Sequence, residues 1–199
     1  MTDVLIFAAA YLLGSIPFGY LLVKWVKGID VRTQGSGNIG MTNVWRVAGA
    51  KWGITTLVLD IAKGALAIAI ARHFDPNNEL VLVLSGLIAL LGNIFSIFLK
   101  FKGGKGIGVS IGVFFSLLPL PSVAGLVVFI IVLSIGRMIS VGSLLGVTTM
   151  AGLTLFYQQG FTWYSGLALV AAVMIWWTHR QNIQRILSGT ENKIFKKKG

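Results

Sequence analysis

Residues 80–99 read LVLVLSGLIALLGNIFSIFL, a run of twenty residues without a charge. With a rise of about 1.5 Å per residue, twenty helical residues cross the roughly 30 Å hydrocarbon core of a bilayer. Six further apolar segments lie at about 4–26, 52–72, 107–120, 122–136, 140–158 and 162–178. The sequence therefore predicts an all-α integral membrane protein with seven transmembrane helices, in a single polytopic membrane domain over residues 1–199.

The fourth and fifth segments are short, and they are separated around Pro119 and Pro121. Proline removes a backbone donor and ends or bends a helix. These two segments therefore predict either one bent hairpin or two separate helices. The first segment follows Met1-Thr2-Asp3 without a basic region or a cleavage site, so we interpret it as a retained helix and not as a signal peptide.

The composition is typical of a membrane protein and narrows the possible functions. Hydrophobic residues make up 55% of the 199 residues and charged residues 12%, whereas soluble domains have about a quarter charged residues. The mean hydropathy is +0.83. The absence of cysteine excludes disulfides and thiolate metal sites. The net charge of +11 would indicate nucleic-acid binding in a soluble protein. In a membrane protein we attribute it to topology and to anionic membrane lipid, and we expect no nucleic-acid partner.

Basic residues alternate with the apolar segments in a way that predicts orientation. The connections after segments two, four and six carry acidic residues or no charge, whereas the other connections are basic. Positively charged connections stay in the cytoplasm, which places the N-terminus outside and the C-terminus inside. The basic positions are Lys27, Arg32, Arg46, Lys51, Lys100, Lys102, Lys105, Arg137, Arg180, Arg185, Lys193 and Lys196–Lys198.

A glycine-rich basic connection, called the first loop here, runs over residues 32–43 and reads RTQGSGNIGMTN, with Arg46 just beyond. Gly35, Gly37 and Gly40 match the dinucleotide fingerprint G-x-G-x-x-G, but that fingerprint needs a preceding strand and a βαβ unit. A membrane helix precedes it here, so we exclude a dinucleotide site. Glycine amides and short polar side chains still favour a phosphate-binding loop over a flexible linker.

A second glycine-rich connection, the second loop, runs over residues 100–106 and reads KFKGGKG. It resembles part of a P-loop, but Gly106 stands where a P-loop has Ser or Thr, so an NTPase is not expected. Lys105 among glycines can hold a phosphate as a point charge above backbone donors. The alternative is a basic topogenic loop that needed turns.

Further polar clusters lie in the second half of the chain. Arg137, Ser140 and Ser143 recur every three residues, which favours one helix face at the start of the sixth segment. His179 and Asn182 follow the last segment with the same spacing, and histidine is the natural proton carrier near neutral pH. The alternatives are a topogenic Arg with back-bonded serines, and an interfacial histidine beside the Trp176–Trp177 belt.

Two acidic residues, Asp60 and Glu191, each have two possible roles. Asp60 and Lys63 lie three apart within the second segment, where charges are costly and must pair or line a cavity; a self-neutralising structural pair is the favoured interpretation. Glu191 either orients a basic residue of the site or caps the tail.

Several of these motifs together resemble the bacterial acyl-phosphate glycerol-3-phosphate acyltransferases. The resemblance covers nearly the whole chain, in the order Gly14–Tyr20, Gly35–Asn43 with Arg46, Phe95–Gly106, and Asn182 through Gly189-Thr190-Glu191. Two positions depart from the family pattern. Asn93 stands where the family commonly has His, so a catalytic histidine there is not expected, and Ser96 stands where it often has Pro. Met41 is a milder change from a smaller residue.

The resemblance implies an enzyme of phospholipid synthesis in the bacterial cytoplasmic (inner) membrane, with its active site facing the cytoplasm. Such an enzyme transfers a fatty acyl group from acyl phosphate to the 1-hydroxyl of glycerol 3-phosphate, giving lysophosphatidic acid and phosphate, with no cofactor and no metal. It implies direct attack by the hydroxyl without an acyl-enzyme, with His179 or the substrate phosphate taking the proton.

The resemblance also implies the site residues. The expected polar core is Ser36, Arg46, Lys105, His179 and Asn182. Arg46 and Lys105 are assigned to glycerol 3-phosphate, and the glycine amides of the first loop, with Thr42 and Asn43, are assigned to acyl phosphate. The expected substrate-binding residues are Gly37, Asn38, Gly40, Thr42, Asn43, Gly103, Gly104, Gly106, Ser143 and Glu191.

A transporter for phosphorylated metabolites is the competing interpretation. It would suit the small-residue helices and the inward anion loops. However, no internal repeat or pair of broken helices is visible in the sequence, as many transporters show, and the polar groups gather on one side.

Overall fold

The computed structural model describes residues 2–194, and all regular structure in that part of the chain is helical. The lysines at 196–198, counted above as part of the basic tail, lie outside the described residues. The α-helices are α1 Thr2–Ser15, α2 Phe18–Lys27, α3 Met41–Ala48, α4 Ala50–Phe74, α5 Glu79–Ile94, α6 Ile107–Leu117, α7 Pro119–Gly136, α8 Ile139–Tyr157, α9 Trp163–Thr178 and α10 Arg180–Leu187.

Five of these helical stretches are long and apolar enough to cross a membrane: Thr2–Lys27, Ala50–Phe74, Glu79–Leu99, Pro119–Gly136 and Ile139–Tyr157. Two shorter apolar helices, Ile107–Leu117 and Trp163–Thr178, coincide with the remaining predicted segments. The prediction of a multi-pass all-α membrane protein is confirmed. The count of seven spans stays a prediction, because two of the seven helices are shorter than a bilayer requires.

The first predicted segment differs from the structure in one respect, since α1 and α2 are two helices joined at Ile16-Pro17. Pro17 has no N–H to continue the helical ladder. The turn that follows α5 holds this break in place. Ser96 donates its hydroxyl to the Ser15 carbonyl at 2.5 Å, and Tyr11 donates its hydroxyl to the Phe95 carbonyl at 2.8 Å.

The chain divides into two compact units between Leu117 and Leu118. In the first unit, α1 packs along α5, and α4 packs against α3 and α6. Small residues allow these close approaches, as is usual for helices in lipid. A Cβ at Gly14 would collide with the Ala89 backbone, and one at Gly64 would collide with the backbone of Val109.

In the second unit, α7 pairs with α8, and α8 pairs with α9. Gly125 and Gly146 face each other where α7 and α8 meet, and a Cβ on either would lie 2.7 Å from the carbonyl oxygen of the other. Trp176 donates from Nε1 to the Thr148 hydroxyl at 3.1 Å, which links α9 to α8. The fourth and fifth predicted segments are thus two separate helices, with Pro119 at the first position of α7, where a missing N–H costs nothing.

Candidate active site

The first loop is organised around the side chain of Asn43, the third residue of α3, which is 1% exposed. Its Nδ2 donates to the carbonyl oxygens of Val31 at 3.1 Å, Gln34 at 3.0 Å and Asn38 at 2.8 Å. Its Oδ1 accepts the backbone N–H of Ser36 at 2.8 Å. One buried amide therefore fixes both sides of the loop, and a substrate contact of Asn43 stays a prediction.

Three amides of the first loop are hydrogen-bonded within the chain. The Ser36 amide bonds to Asn43, the Gly37 amide donates to the Gln34 carbonyl at 3.0 Å, and the Gly40 amide donates to Asn38 Oδ1 at 2.8 Å. The role of Gly37 and Gly40 in binding the phosphate stays a prediction. Gly37 allows the backbone to turn here, because its φ of +70° suits glycine far better than other residues.

The side chains of the loop and of α3 remain as candidate anion ligands. Ser36 and Arg46 are exposed, and Thr42 is half-buried in the first turn of α3. Arg32, at the start of the loop, is paired with Asp30 at 2.6 Å and stacks over the Tyr20 ring at 5.1 Å. The Arg32 guanidinium lowers the pKa of the Asp30 carboxyl through this hydrogen bond, so the charge of Arg32 is balanced locally.

The second loop folds back on the end of α5. The Gly103 amide donates to the Ile94 carbonyl and the Gly104 amide to the Asn93 carbonyl, both at 2.9 Å. A Cβ at Gly103 would collide with the Asn93 carbonyl oxygen. Gly103 is therefore required for this close backbone approach, whereas a Cβ at Gly104 would lie 3.2 Å from the side-chain Oδ1 of Asn93. Both amides are hydrogen-bonded within the chain, and a role of Gly103 and Gly104 in substrate binding stays a prediction.

Gly106, at φ +86°, turns the chain into α6, and Lys105 immediately before it is half-buried. Lys105 is thus held between two glycines whose backbone is fixed by α5 and α6.

The two loops meet in the first unit. A Cβ at Gly104 would lie 3.4 Å from Ile39 Cγ1 of the first loop. Beneath them lies an apolar cluster formed by Val23, Val31, Ile39, Val44 and Leu99. This cluster joins α2, the first loop, α3 and the turn before the second loop. The structure thus brings together the supports of Ser36, Arg46 and Lys105, which are far apart in sequence.

The second unit holds the other predicted polar groups around Glu191, whose side chain is 6% exposed. Glu191 accepts hydrogen bonds from the Ser140 hydroxyl at 2.7 Å, Asn182 Nδ2 at 2.7 Å and Arg185 Nε at 2.9 Å. Its carboxylate is committed to these three donors. Glu191 therefore orients Asn182 and Arg185, and its role in substrate binding stays a prediction.

Burial alone would raise the pKa of Glu191, but the hydrogen bonds from Asn182, Ser140 and Arg185 outweigh it and lower the pKa below its usual value. The carboxylate is therefore ionised near neutral pH, which suits its ion pair with Arg185.

His179 is 3% exposed at the junction of α9 and α10. Its Nδ1 lies 2.8 Å from the Ile175 carbonyl oxygen. Since a carbonyl only accepts, Nδ1 carries the proton, and in the neutral ring Nε2 keeps the lone pair. Asn182, three residues on, is also buried.

The predicted alignment of Arg137 with Ser140 and Ser143 is wrong for Arg137. It lies before α8, as the left-handed residue with φ +56° that ends α7. Its carbonyl accepts the Ile194 amide at 2.8 Å. Ser143 lies buried on α8, one turn beyond Ser140.

Two supporting residues were not predicted from the sequence. Arg185 was counted only as a tail charge, although its three-residue spacing from Asn182 on one helix was a usable signal. Ser96, noted only as a departure from a family pattern, is the donor that secures the Ser15 carbonyl.

A family model described as Glycerol-3-phosphate acyltransferase matches residues 4–189. The chain belongs to this family. It is 43% identical to a glycerol-3-phosphate acyltransferase of Myxococcus xanthus, covering 98% of this chain and 100% of the relative. It is 45% identical to that of Trichlorobacter lovleyi, covering 94% and 95%.

Solved structures of the family give the same result for the fold. The chain matches PlsY (YgiH), an integral membrane glycerol 3-phosphate acyltransferase, in its glycerol 3-phosphate form with a TM-score of 0.92 and 34% identity, covering 98% of this chain and 96% of that one. The lysophosphatidic acid form matches with a TM-score of 0.89 at the same identity and coverage. The predicted family and the interpretation as an acyltransferase enzyme of phospholipid synthesis are confirmed, and the transporter interpretation loses its support.

Proposed function

We propose that this acyltransferase takes its fatty acyl group from acyl phosphate and transfers it to the 1-hydroxyl of glycerol 3-phosphate, releasing lysophosphatidic acid and phosphate. The observation that carries the proposal is the full-length match to a relative described in glycerol 3-phosphate and lysophosphatidic acid forms. These two molecules are an acceptor and its monoacylated product. Acyl phosphate as donor rests on the sequence resemblance and on the pairing of two basic loops, one for each phosphate.

Side chains hold the anions in this proposal, because the amides of Ser36, Gly37, Gly40, Gly103 and Gly104 bond within the chain. Lys105 contributes a point charge and Arg46 a planar fork, the two usual forms of phosphate recognition. We assign both to glycerol 3-phosphate. Ser36 and Thr42 lie by the start of α3, where the helix dipole favours an anion, and we assign this end to acyl phosphate.

The reaction proceeds by direct attack. The 1-hydroxyl oxygen forms a bond to the acyl carbon, the bond from that carbon to the phosphate oxygen breaks, and phosphate leaves with the electron pair. The hydroxyl proton passes to His179 Nε2 or to the phosphate of glycerol 3-phosphate. Cationic side chains stabilise the negative charge that develops on the acyl oxygen and the leaving phosphate. Asn182, held by Glu191, completes the polar groups of the second unit.

We further propose a single polytopic membrane domain over residues 1–199 with seven spans, the N-terminus outside, the C-terminus inside, and both loops in the cytoplasm. The alternation of basic and neutral connections supports this orientation. The two short apolar helices can span where the bilayer thins locally or where they line a cavity.

Phosphate release by the purified protein tests the reaction. Acyl phosphate is supplied with and without glycerol 3-phosphate, for the wild type, Lys105→Ala and the control Lys102→Ala, which removes an exposed lysine of the same loop. We expect release that requires both substrates, falls about 10²-fold or more in Lys105→Ala, and persists in Lys102→Ala.

The other results of this assay are equally informative. Release from acyl phosphate alone would indicate an acyl-enzyme or a hydrolase, and no release would overturn the proposed donor. In the same assay, a His179→Ala variant that keeps nearly full activity would assign the proton to the substrate phosphate.

A further inference from the structure

Lys63 is a buried charge that the proposed reaction does not use. It lies in the middle of α4 and is 3% exposed. Its ammonium group lies 2.8 Å from Asp60 Oδ1, donates to the Ile16 carbonyl at 2.7 Å, and lies 5.6 Å from the centre of the Phe18 ring. An ion pair between Asp60 and Lys63 alone would need only α4. The contacts to Ile16 and Phe18 reach a different part of the chain.

The carbonyl that Lys63 reaches belongs to the break between α1 and α2. At that break Pro17 interrupts the helical ladder. Within the break, the Ile16 carbonyl accepts the Phe18 amide at 3.2 Å. The Ser96 hydroxyl donates a hydrogen bond to the Ser15 carbonyl, and the Lys63 ammonium group donates one to the Ile16 carbonyl. A charged donor makes a stronger hydrogen bond than a neutral one. Lys63 therefore fixes the point at which α2 leaves α1.

Helix α2 in turn supports the first loop. A Cβ at Gly19 would collide with the Ile39 carbonyl oxygen, and Val23 is a fully buried member of the apolar cluster beneath the loops. Any shift of α2 at the break would therefore be transmitted directly to the backbone around Ile39.

Asp60 packs against the start of α6, the helix that follows the second loop. A Cβ at Gly108, in the first turn of α6, would lie 2.6 Å from the Asp60 Cβ. Gly108 follows Lys105 by three residues, so Asp60 lies against the segment that carries the second loop into α6. The Asp60–Lys63 pair thus contacts the support of the first loop on one side and that of the second loop on the other.

We propose that Asp60 and Lys63 are positioning residues that set the separation of the two phosphate-binding loops, an inference that rests on the proposed function. A buried ion pair often contributes little net stability, because desolvation offsets the attraction between its charges. We infer that the Asp60–Lys63 pair instead fixes the relative positions of the helices it contacts. The pair joins α4 to the α1–α2 break and lies against the start of α6, without adding net charge next to a site that binds anions.

The test compares Lys63→Met with a control on the same helix. Arg72 also lies on α4 and also donates to a carbonyl of another segment, Ser116 at 2.8 Å, but it does so at the far end of α6 from the second loop. Lys63→Met and Arg72→Met are purified in detergent, and their thermal midpoints, kcat and KM for glycerol 3-phosphate are measured.

We expect Lys63→Met to raise KM for glycerol 3-phosphate about tenfold, the effect of losing one charge-assisted hydrogen bond that holds the loop geometry. Arg72→Met should lower the midpoint while leaving KM within about twofold of the wild type, as expected for a link distant from the loops. An unchanged KM in active Lys63→Met would overturn the proposal.

Asp60→Asn provides a milder second variant if Lys63→Met does not fold. It keeps an oxygen acceptor for Lys63 and the packing against Gly108, so we expect a smaller rise in KM in the same direction. A thermal shift without a rise in KM would overturn the positioning role. Failure of the proposed function is separately visible, because it would appear as absent phosphate release in the wild type.

Discussion

At the scale of single residues, Glu191 gives the stability of the second unit a predictable pH dependence. Its pKa in the folded protein is lower than its ordinary value of 4.5, because hydrogen bonds from Asn182, Ser140 and Arg185 outweigh the effect of burial. A lowered carboxyl pKa stabilises the fold fully above the unfolded value. This stabilisation is lost as the pH falls below that value and through the folded pKa.

Thermal unfolding in detergent from about pH 7 down to about pH 3 checks this expectation. Glu191→Gln should unfold at a lower temperature than the wild type at neutral pH, and the gap should close as the pH falls below about 4.5. Glu79→Gln, which changes an exposed glutamate at the start of α5, is the control and should track the wild type. A gap that stays constant over the whole range would contradict the assignment.

Features of single residues were predictable from the sequence only where neighbouring residues in the sequence decide them. The position of Lys105 among glycines predicted a basic loop, and the spacing of His179 and Asn182 predicted proximity. The central role of Asn43 was not visible, because three of its partners are backbone carbonyls spread over residues 31–38. Backbone acceptors carry no sequence signature, so a buried organising amide looks like any other polar residue of a loop.

At the scale of elements, the glycines fall into two groups with opposite responses to substitution. A Cβ at Gly103 would meet the Asn93 carbonyl, a backbone atom that cannot move alone. Gly103→Ala is therefore expected to displace the second loop and to lower activity at least about tenfold, since small displacements of positioning groups are costly in catalysis.

Gly152, within α8, is the matched control. A Cβ there would meet no atom within 4 Å, and alanine favours a helix over glycine by about 1 kcal/mol. Gly152→Ala should keep full activity with an equal or higher thermal midpoint. Both variants are compared by phosphate release and thermal unfolding, and equal activity in the two would show that the Gly103 contact is unimportant.

The helices themselves were largely predictable, because apolar length dominates in membranes. All seven predicted segments coincide with helical stretches of the structure. The exception was the break at Pro17, which the continuous hydrophobicity of residues 4–26 concealed. Its signal was the Gly14-Ser15-Ile16-Pro17 sequence, where a small residue, a hydroxyl and a proline occur together.

At the scale of the whole molecule, the proposed orientation makes a prediction that the natural lack of cysteine renders easy to test. Asn77→Cys places a thiol in the exposed connection between α4 and α5, and Gln34→Cys places one in the first loop. A membrane-impermeant thiol reagent added to intact cells should label Asn77→Cys alone. After the cells are opened, both should react, and the opposite pattern would reverse the topology.

The membrane class was predictable from composition, but the meeting of the two loops was not. Their contact depends on Gly104 lying against Ile39, residues that are brought together by packing of α1 on α5 and of α4 on α6. Such packing follows from side-chain shapes over the whole unit. Sequence patterns report the local faces of helices and not their pairing.

The break in the first span has a consequence for how the protein is made. The carbonyls of Ile16 and Ser15 receive side-chain donors from residues that follow 47 and 81 positions later in the chain. Because synthesis runs from the N-terminus, the first span is made before Lys63 and Ser96 exist. Until then its interrupted ladder must be satisfied by water, lipid headgroups or the insertion machinery, since hydrocarbon offers no donors. The first helix to be translated is thus among the last to reach its final hydrogen bonding.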